Sequence, residues 1–160
     1  MQKIVTHLWF DSQAEEAANF YTSLFEDSKI VDIARYPEEE AHSGKSAGTV
    51  MTVAFQLNGQ DFLALNGGPL FTFSEAVSLL VRCKDQAEID KLWDAFTKDG
   101  GQESQCGWLK DKFGFSWQIV PEEMSEFTTK DPEVNKRVFE ALMPMKKIDI
   151  ATLKKAAGIQ

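Results

Sequence analysis

The spacing of hydrophobic residues along this chain switches repeatedly between the period of a strand and that of a helix. Residues 4–10, Ile-Val-Thr-His-Leu-Trp-Phe, form a short run rich in β-branched and aromatic side chains, the composition of a strand. Asp11-Ser12 follows as a helix start, and Glu15, three residues past Ser12, completes a capping-box pattern. Ala14, Ala17, Ala18, Phe20, Tyr21, Leu24 and Phe25 then recur at three and four, which predicts a helix over 14–25 whose apolar stripe must lie on a sheet. Residues 29–36 alternate as a strand, with Ile30, Asp32 and Ala34 on one face and Val31, Ile33 and Arg35 on the other. Residues 37–46 are charged, glycine-bearing and aperiodic, a loop that carries His42. Residues 49–57 and 60–66 are two strands joined by Asn58-Gly59, the dipeptide favoured where both turn residues need positive φ. Asn66-Gly67-Gly68-Pro69 then breaks the chain.

The second half repeats this order. Residues 75–83 predict a strand, and 85–96 a helix with Ile89, Leu92, Trp93 and Phe96 on one side. Gly100-Gly101 stops that helix, and residues 102–109 and 115–121 predict a closing hairpin. Gln13-Ala14-Glu15 and Gln86-Ala87-Glu88 occupy matching places at the two helix starts, and the shared element order points to an internal duplication. Beyond residue 121 the pattern becomes purely helical. Asp131-Pro132 opens one helix that keeps its spacing through Val134, Val138 and Leu142 until Pro144, and residues 149–158 form another. This tail, 122–160, packs either on the sheet or on a second subunit.

In the hairpin, Gly107 and Gly114 flank a charged turn at residues 110–112. Alternation puts Phe115, Trp117 and Ile119 on one face and Ser116, Gln118 and Val120 on the other. The first face is built for a core. The hydroxyl and amide on the second make it either the wall of a semi-polar cavity or a solvated outer face.

A chain of 160 residues can bury one sizeable core, or two small modules, without staples. The formal charge of -8 argues against nucleic acid, whose phosphates are bound by clustered Lys and Arg. No segment approaches the ~20 apolar residues of a membrane span and none has the form of a signal peptide, so a cytoplasmic protein is expected. Cys83 and Cys106 fit a reducing compartment and show neither CxxC nor zinc spacing.

Thr6-His7-Leu8-Trp9-Phe10, Ala64-Leu65-Asn66-Gly67-Gly68-Pro69, Phe73-Ser74-Glu75-Ala76, the Cys106–Asp111 run with Phe113-Gly114 and Ser116-Trp117-Gln118, and Met145-Lys146-Lys147-Ile148-Asp149-Ile150 together span nearly the whole chain. On these motifs the sequence resembles the PhnB-like branch, labelled 3-demethylubiquinone-9 3-methyltransferase-like, of the vicinal oxygen chelate superfamily of glyoxalases, dioxygenases and bleomycin-resistance proteins. The resemblance implies an α+β fold of two βαβββ modules, about 1–68 and 70–121, forming a curved mixed sheet around a cavity, with C-terminal helices after them. It also implies a homodimer. No GxGxxG loop follows a strand to cradle a nucleoside cofactor, so the methyltransferase label is not matched by a motif.

Superfamily enzymes typically hold a divalent metal through four positions. Matched onto this chain these are His7, Asn66, a residue within 76–83 and Gln118, yet the run 76–83 offers no His, Asp or Glu in any register. One imidazole with neutral amides is a poor set for a doubly charged ion. No metal and no other cofactor is therefore expected. Without metal, His7 is a candidate general base or else a hydrogen-bonded interior histidine, and Glu75 is a candidate catalytic carboxylate or else a solvated strand-end charge. Cys106 is a nucleophile only with a base in reach, and otherwise structural. Trp9, Trp108 and Phe73 line either a pocket or the core.

The expected function is small-molecule binding in a cavity lined by His7, Trp9, Asn66, Trp108 and Gln118, with metal-independent catalysis open. The rivals are a metal-dependent lyase, isomerase or dioxygenase, and a protein that sequesters a cationic drug.

Overall fold

The computed structural model describes residues 2–38 and 44–159. Residues 39–43 of the loop expected at 37–46, His42 among them, therefore lie outside the described residues. The chain divides into two compact units, 1–73 and 74–160, each built on one four-stranded mixed sheet. The fold class is α+β: two βαβββ modules followed by helices. Each module contributes one four-stranded mixed sheet.

In the first unit β1 (Thr6–Phe10), α1 (Ala14–Leu24), β2 (Lys29–Arg35), β3 (Val50–Leu57) and β4 (Gln60–Asn66) give the strand order β1-β4-β3-β2. β1 runs parallel to β4, because α1 carries the chain back between them, and the other pairs are antiparallel. Leu8, Phe10, Val53, Phe55, Phe62 and Ala64 are buried on the side that receives Ala14, Ala17, Ala18 and Tyr21 of α1. Asn58 and Gly59 have φ of 48° and 74°, as the type I′ turn requires.

The Ser12/Glu15 capping box does not form; the cap position is Gln13, with no side-chain cap of its own. The expected strict alternation in β2 is broken by register shifts on either side of the Asp32–Ala34 stretch. Val31 is skipped, so Ile30 and Ile33 both stand opposite Phe55 and Val53 on the buried side, and a bulge achieves what simple alternation could not.

The second unit contains β5 (Ser78–Cys83), α2 (Gln86–Thr97), β6 (Gln102–Glu103), β7 (Trp108–Lys110) and β8 (Ser116–Pro121), ordered β5-β8-β7-β6. The Asp85 carboxylate accepts from the Glu88 N–H at 2.8 Å while Glu88 accepts from the Lys84 N–H at 2.8 Å, so both charged ends secure the start of α2. Phe96 stacks on Trp117 with ring centroids 4.5 Å apart, and Leu109 and Ile119 complete the layer under α2. β5 begins only at Ser78, which leaves Glu75 in the turn before it.

The strand expected over 102–109 is split. Cys106 and Gly107 have φ of 56° and 84°, so the chain turns away from the ladder. A Cβ on Gly107 would lie 2.7 Å from the Ile119 carbonyl oxygen, an approach only glycine allows. The N–H groups of Cys106 and Gly107 donate to the carbonyls of Met145 and Lys146 at 2.7 and 2.8 Å. Gln86 fastens the same segment, donating to the Ile148 carbonyl and accepting from the Ile150 N–H. Ile148 is buried. The tail thus docks on the second unit. α3 (Pro132–Leu142) and α4 (Ile150–Ala157) start at Asp131 and Asp149, each accepting from an N–H of its own first turn. Among the described residues, no helix is long and apolar enough to cross a membrane.

Candidate functional site

Each sheet has one face under its helix and one open face, and alternation decides which side chains reach the open one. In the first unit His7 and Trp9 share that face with Leu63 and Leu65, their partners across the parallel ladder. His7 is exposed and has no hydrogen-bond partner among the described residues, so no carboxylate orients its imidazole as a general base is usually oriented. Trp9 is pinned: its indole N–H donates to the Gly68 carbonyl at 2.9 Å, and its ring meets Phe71 edge-on with centroids 5.0 Å apart. A Cβ on Gly67 would sit 2.4 Å from that ring, so Gly67 exists to let Trp9 lie down.

Asn66, expected in the cavity beside His7, points to the other side. Its Oδ1 accepts from the Ala14 N–H at 2.8 Å, its Nδ2 donates to the Val50 carbonyl at 3.1 Å, and it is 5% exposed. Its main-chain carbonyl accepts from the Tyr36 hydroxyl at 2.6 Å. Asn66 is the cap that α1 lacks locally, delivered from the end of β4, and its amide is buried with both the oxygen and the nitrogen engaged by the main chain.

In the second unit Trp108 and Gln118 face each other across β7 and β8 on the open face, and the same ladder sets Lys110 opposite Ser116. Gln118 donates to the Ser78 hydroxyl at 2.9 Å. Lys110 forms an ion pair of 2.5 Å with Glu75. The hydrogen bond from Lys110, then the residue's own backbone N–H and then the lysine charge, hold the Glu75 carboxyl below the usual range. Of the six expected site residues, Glu75, Trp108 and Gln118 thus gather on one face. A recess of about 140 Å³ opens here, lined by Glu75, Gln102, Glu103, Trp108, Lys110 and Ser116 among others. On its rim the Glu103 carboxyl is also held low, first by the Trp93 indole N–H and then by Lys146.

Ser116 is 1% exposed, and among the described residues its hydroxyl is the buried side-chain polar atom that has no hydrogen-bond partner. Ser116 lies on the face that alternation offered as a semi-polar wall, whereas Lys110 escaped the sequence reading as a site residue because it looked like part of a charged turn. The usable signal was register: two residues past Trp108 on a strand, Lys110 had to share its face. Asp111, placed in the same turn, is 2% exposed. Its Oδ1 accepts from the N–H groups of Phe113 and Phe115 at 2.9 and 3.0 Å, and its Oδ2 from the Trp117 indole at 2.9 Å, so it sets the hairpin that presents Ser116.

The superfamily's metal positions do not fit an ion in this chain. Asn66 has both amide atoms engaged, β5 offers Ser78, Leu79, Leu80, Val81, Arg82 and Cys83, and Gln118 is tied to Ser78. Among the described residues, no three His, Cys, Asp or Glu side chains gather as a metal would need. Cys106 touches the carbonyls of Leu142 and Met143 and the Met143 thioether, with no base among these contacts.

The family model described as 3-demethylubiquinone-9 3-methyltransferase matches residues 2–120. The chain belongs to that family, the PhnB-like branch of the vicinal oxygen chelate superfamily. A PhnB protein from Bacillus cereus carrying the same description is 41% identical, with 75% of this chain and 99% of that one covered and a TM-score of 0.67. Protein PA1353 from Pseudomonas aeruginosa is 19% identical over 76% of this chain and 98% of its own, with a TM-score of 0.61. The fosfomycin resistance protein FosX from Mesorhizobium loti is 13% identical over 79% and 97%, with a TM-score of 0.50. These last two show the fold alone. No curated protein matches the chain. The family match stops at residue 120, so α3 and α4 lie beyond what defines this PhnB-like family.

Proposed function

We propose that this PhnB-like protein binds a small organic molecule on the open face of its second sheet, without a metal. The recess beside Trp108, Lys110 and Ser116 carries this reading: it joins an aromatic wall, an ion pair and an unpartnered hydroxyl, the combination by which small-molecule sites fix orientation. Gln118, one pair along the ladder, extends the polar floor. The donor chemistry at the superfamily's metal positions supports binding that does not pass through an ion. His7 is an unencumbered imidazole on the first unit's open face, available to a ligand but unsupported as a base. A cytoplasmic setting fits the two unpaired thiols. Exposed Leu70, Phe71 and Val77 support pairing with a second copy, which sedimentation at micromolar concentration tests; a monomer there removes that part.

Crystals soaked with mixtures of small acids, amines and neutral aromatics test the binding reading. Ordered density against Trp108 and Ser116 is expected, and ligands seating only elsewhere would sink it.

A further inference from the structure

We infer that the recess takes the carboxylate of a small organic acid, and that Glu75 occupies the seat of this group until the ligand displaces it. The inference rests on the binding reading above and names the ligand's class. Lys110 is the cation at the recess, and the group now on it is a carboxylate of the chain's own. That carboxylate is a weak occupant. Its side chain is 63% exposed, it stands in a turn outside the ladder, and water receives it when it leaves, so an exposed pair of this kind is given up at small cost.

Glu75 also leaves the site incomplete. It bonds to Lys110, yet the Ser116 hydroxyl, opposite Lys110 in the β7–β8 ladder and lining the same recess, has no partner. A buried hydroxyl left unsatisfied is a cost that a ligand can remove. A carboxylate entering over Trp108 would accept from Lys110 Nζ with one oxygen and from the Ser116 O–H with the other. Glu75 makes only the first of these bonds. The apolar body of the acid would then lie against the Trp108 ring. Glu103, with one oxygen held by the Trp93 indole and Lys146 3.6 Å from the other, is neutralised on the rim and does not repel the incoming charge strongly.

Calorimetric titration with benzoate, and with benzamide as its uncharged counterpart, tests this on the full chain. Benzoate is expected to bind wild type at least fivefold more tightly than benzamide. Glu75→Gln should tighten benzoate about three- to tenfold and leave benzamide unchanged, a gain that misfolding cannot imitate. Lys110→Met and Ser116→Ala should each weaken benzoate at least fivefold. Equal affinity for the two probes, no benzoate binding, or no gain in Glu75→Gln overturns the inference. Should benzamide or another neutral molecule seat in the recess while benzoate does not, the binding reading survives and only the ligand class falls.

Discussion

Replacing Asp111 by alanine removes one carboxylate and three acceptor contacts at once. Two of the donors, the Phe115 N–H and the Trp117 indole N–H, are buried with their residues 2% and 1% exposed, whereas Phe113 is only part-buried and can turn to water. Stranding a buried donor costs roughly 1–3 kcal/mol, and a hydrogen bond to a charged group contributes about 1.5–3 kcal/mol in place. Counting two buried donors fully and the third hardly at all, Asp111→Ala should destabilise the protein by about 3–5 kcal/mol. Asp111→Asn keeps an acceptor for the two backbone groups but turns an NH₂ toward the indole, and should cost about 2 kcal/mol. Trp117→Phe removes the indole donor and keeps a ring against Phe96, so the two sites must couple. Urea unfolding of wild type, both single variants and the double variant gives that coupling directly, about 1–2 kcal/mol in magnitude. An Asp111→Ala loss below ~1 kcal/mol, or no coupling to Trp117, would refute the claim that this carboxylate sets the hairpin.

Three further outcomes are expected. Asn66→Ala strands the Ala14 N–H and the Val50 carbonyl, and should lower stability by about 2–4 kcal/mol in urea unfolding; a loss no larger than that of an exposed substitution would mean that Asn66 is not the cap of α1. Burial, then the charges of Glu88 and Asp85, push the Cys83 thiol up to about 12, so a thiol reagent near neutral pH should label only Cys106 in the folded protein and both cysteines after unfolding. Glu75 titrates below its ordinary 4.5, so its pairing stabilises the fold above that pH and the contribution is lost as pH falls through the depressed value. Lys110→Gln should raise the Glu75 midpoint toward 4.5 in a carbon-detected NMR titration, and an unmoved midpoint would mean that the pair does not persist in solution.

Much of the fold was legible because both modules announce themselves twice: periodic helices, a hairpin turn with two positive φ residues, and the same order in each half. What escaped was every feature that depends on a distant partner. Asn66 looked like a ligand because nothing local says that its amide reaches the start of α1, where it accepts from the Ala14 N–H while the Ser12/Glu15 box stays unformed. The break at Cys106 and Gly107 was hidden because their N–H groups pair with carbonyls far along the chain. Asp111 read as part of a charged turn, since only folding brings the Trp117 indole to it. At the candidate site, Trp108 and Gln118 were found by alternation on strands correctly placed. Lys110 and Ser116 follow from the same register, extended by one pair.

Whether the second sheet's open face receives a ligand is read most directly by nitrogen–proton correlation spectra. Small organic acids added to labelled protein should shift the Trp108 indole and the amides of Lys110, Ser116 and Gln118 together, in a saturable way. Shifts gathered around His7 on the first unit, or none at saturating concentration, would contradict binding on that face.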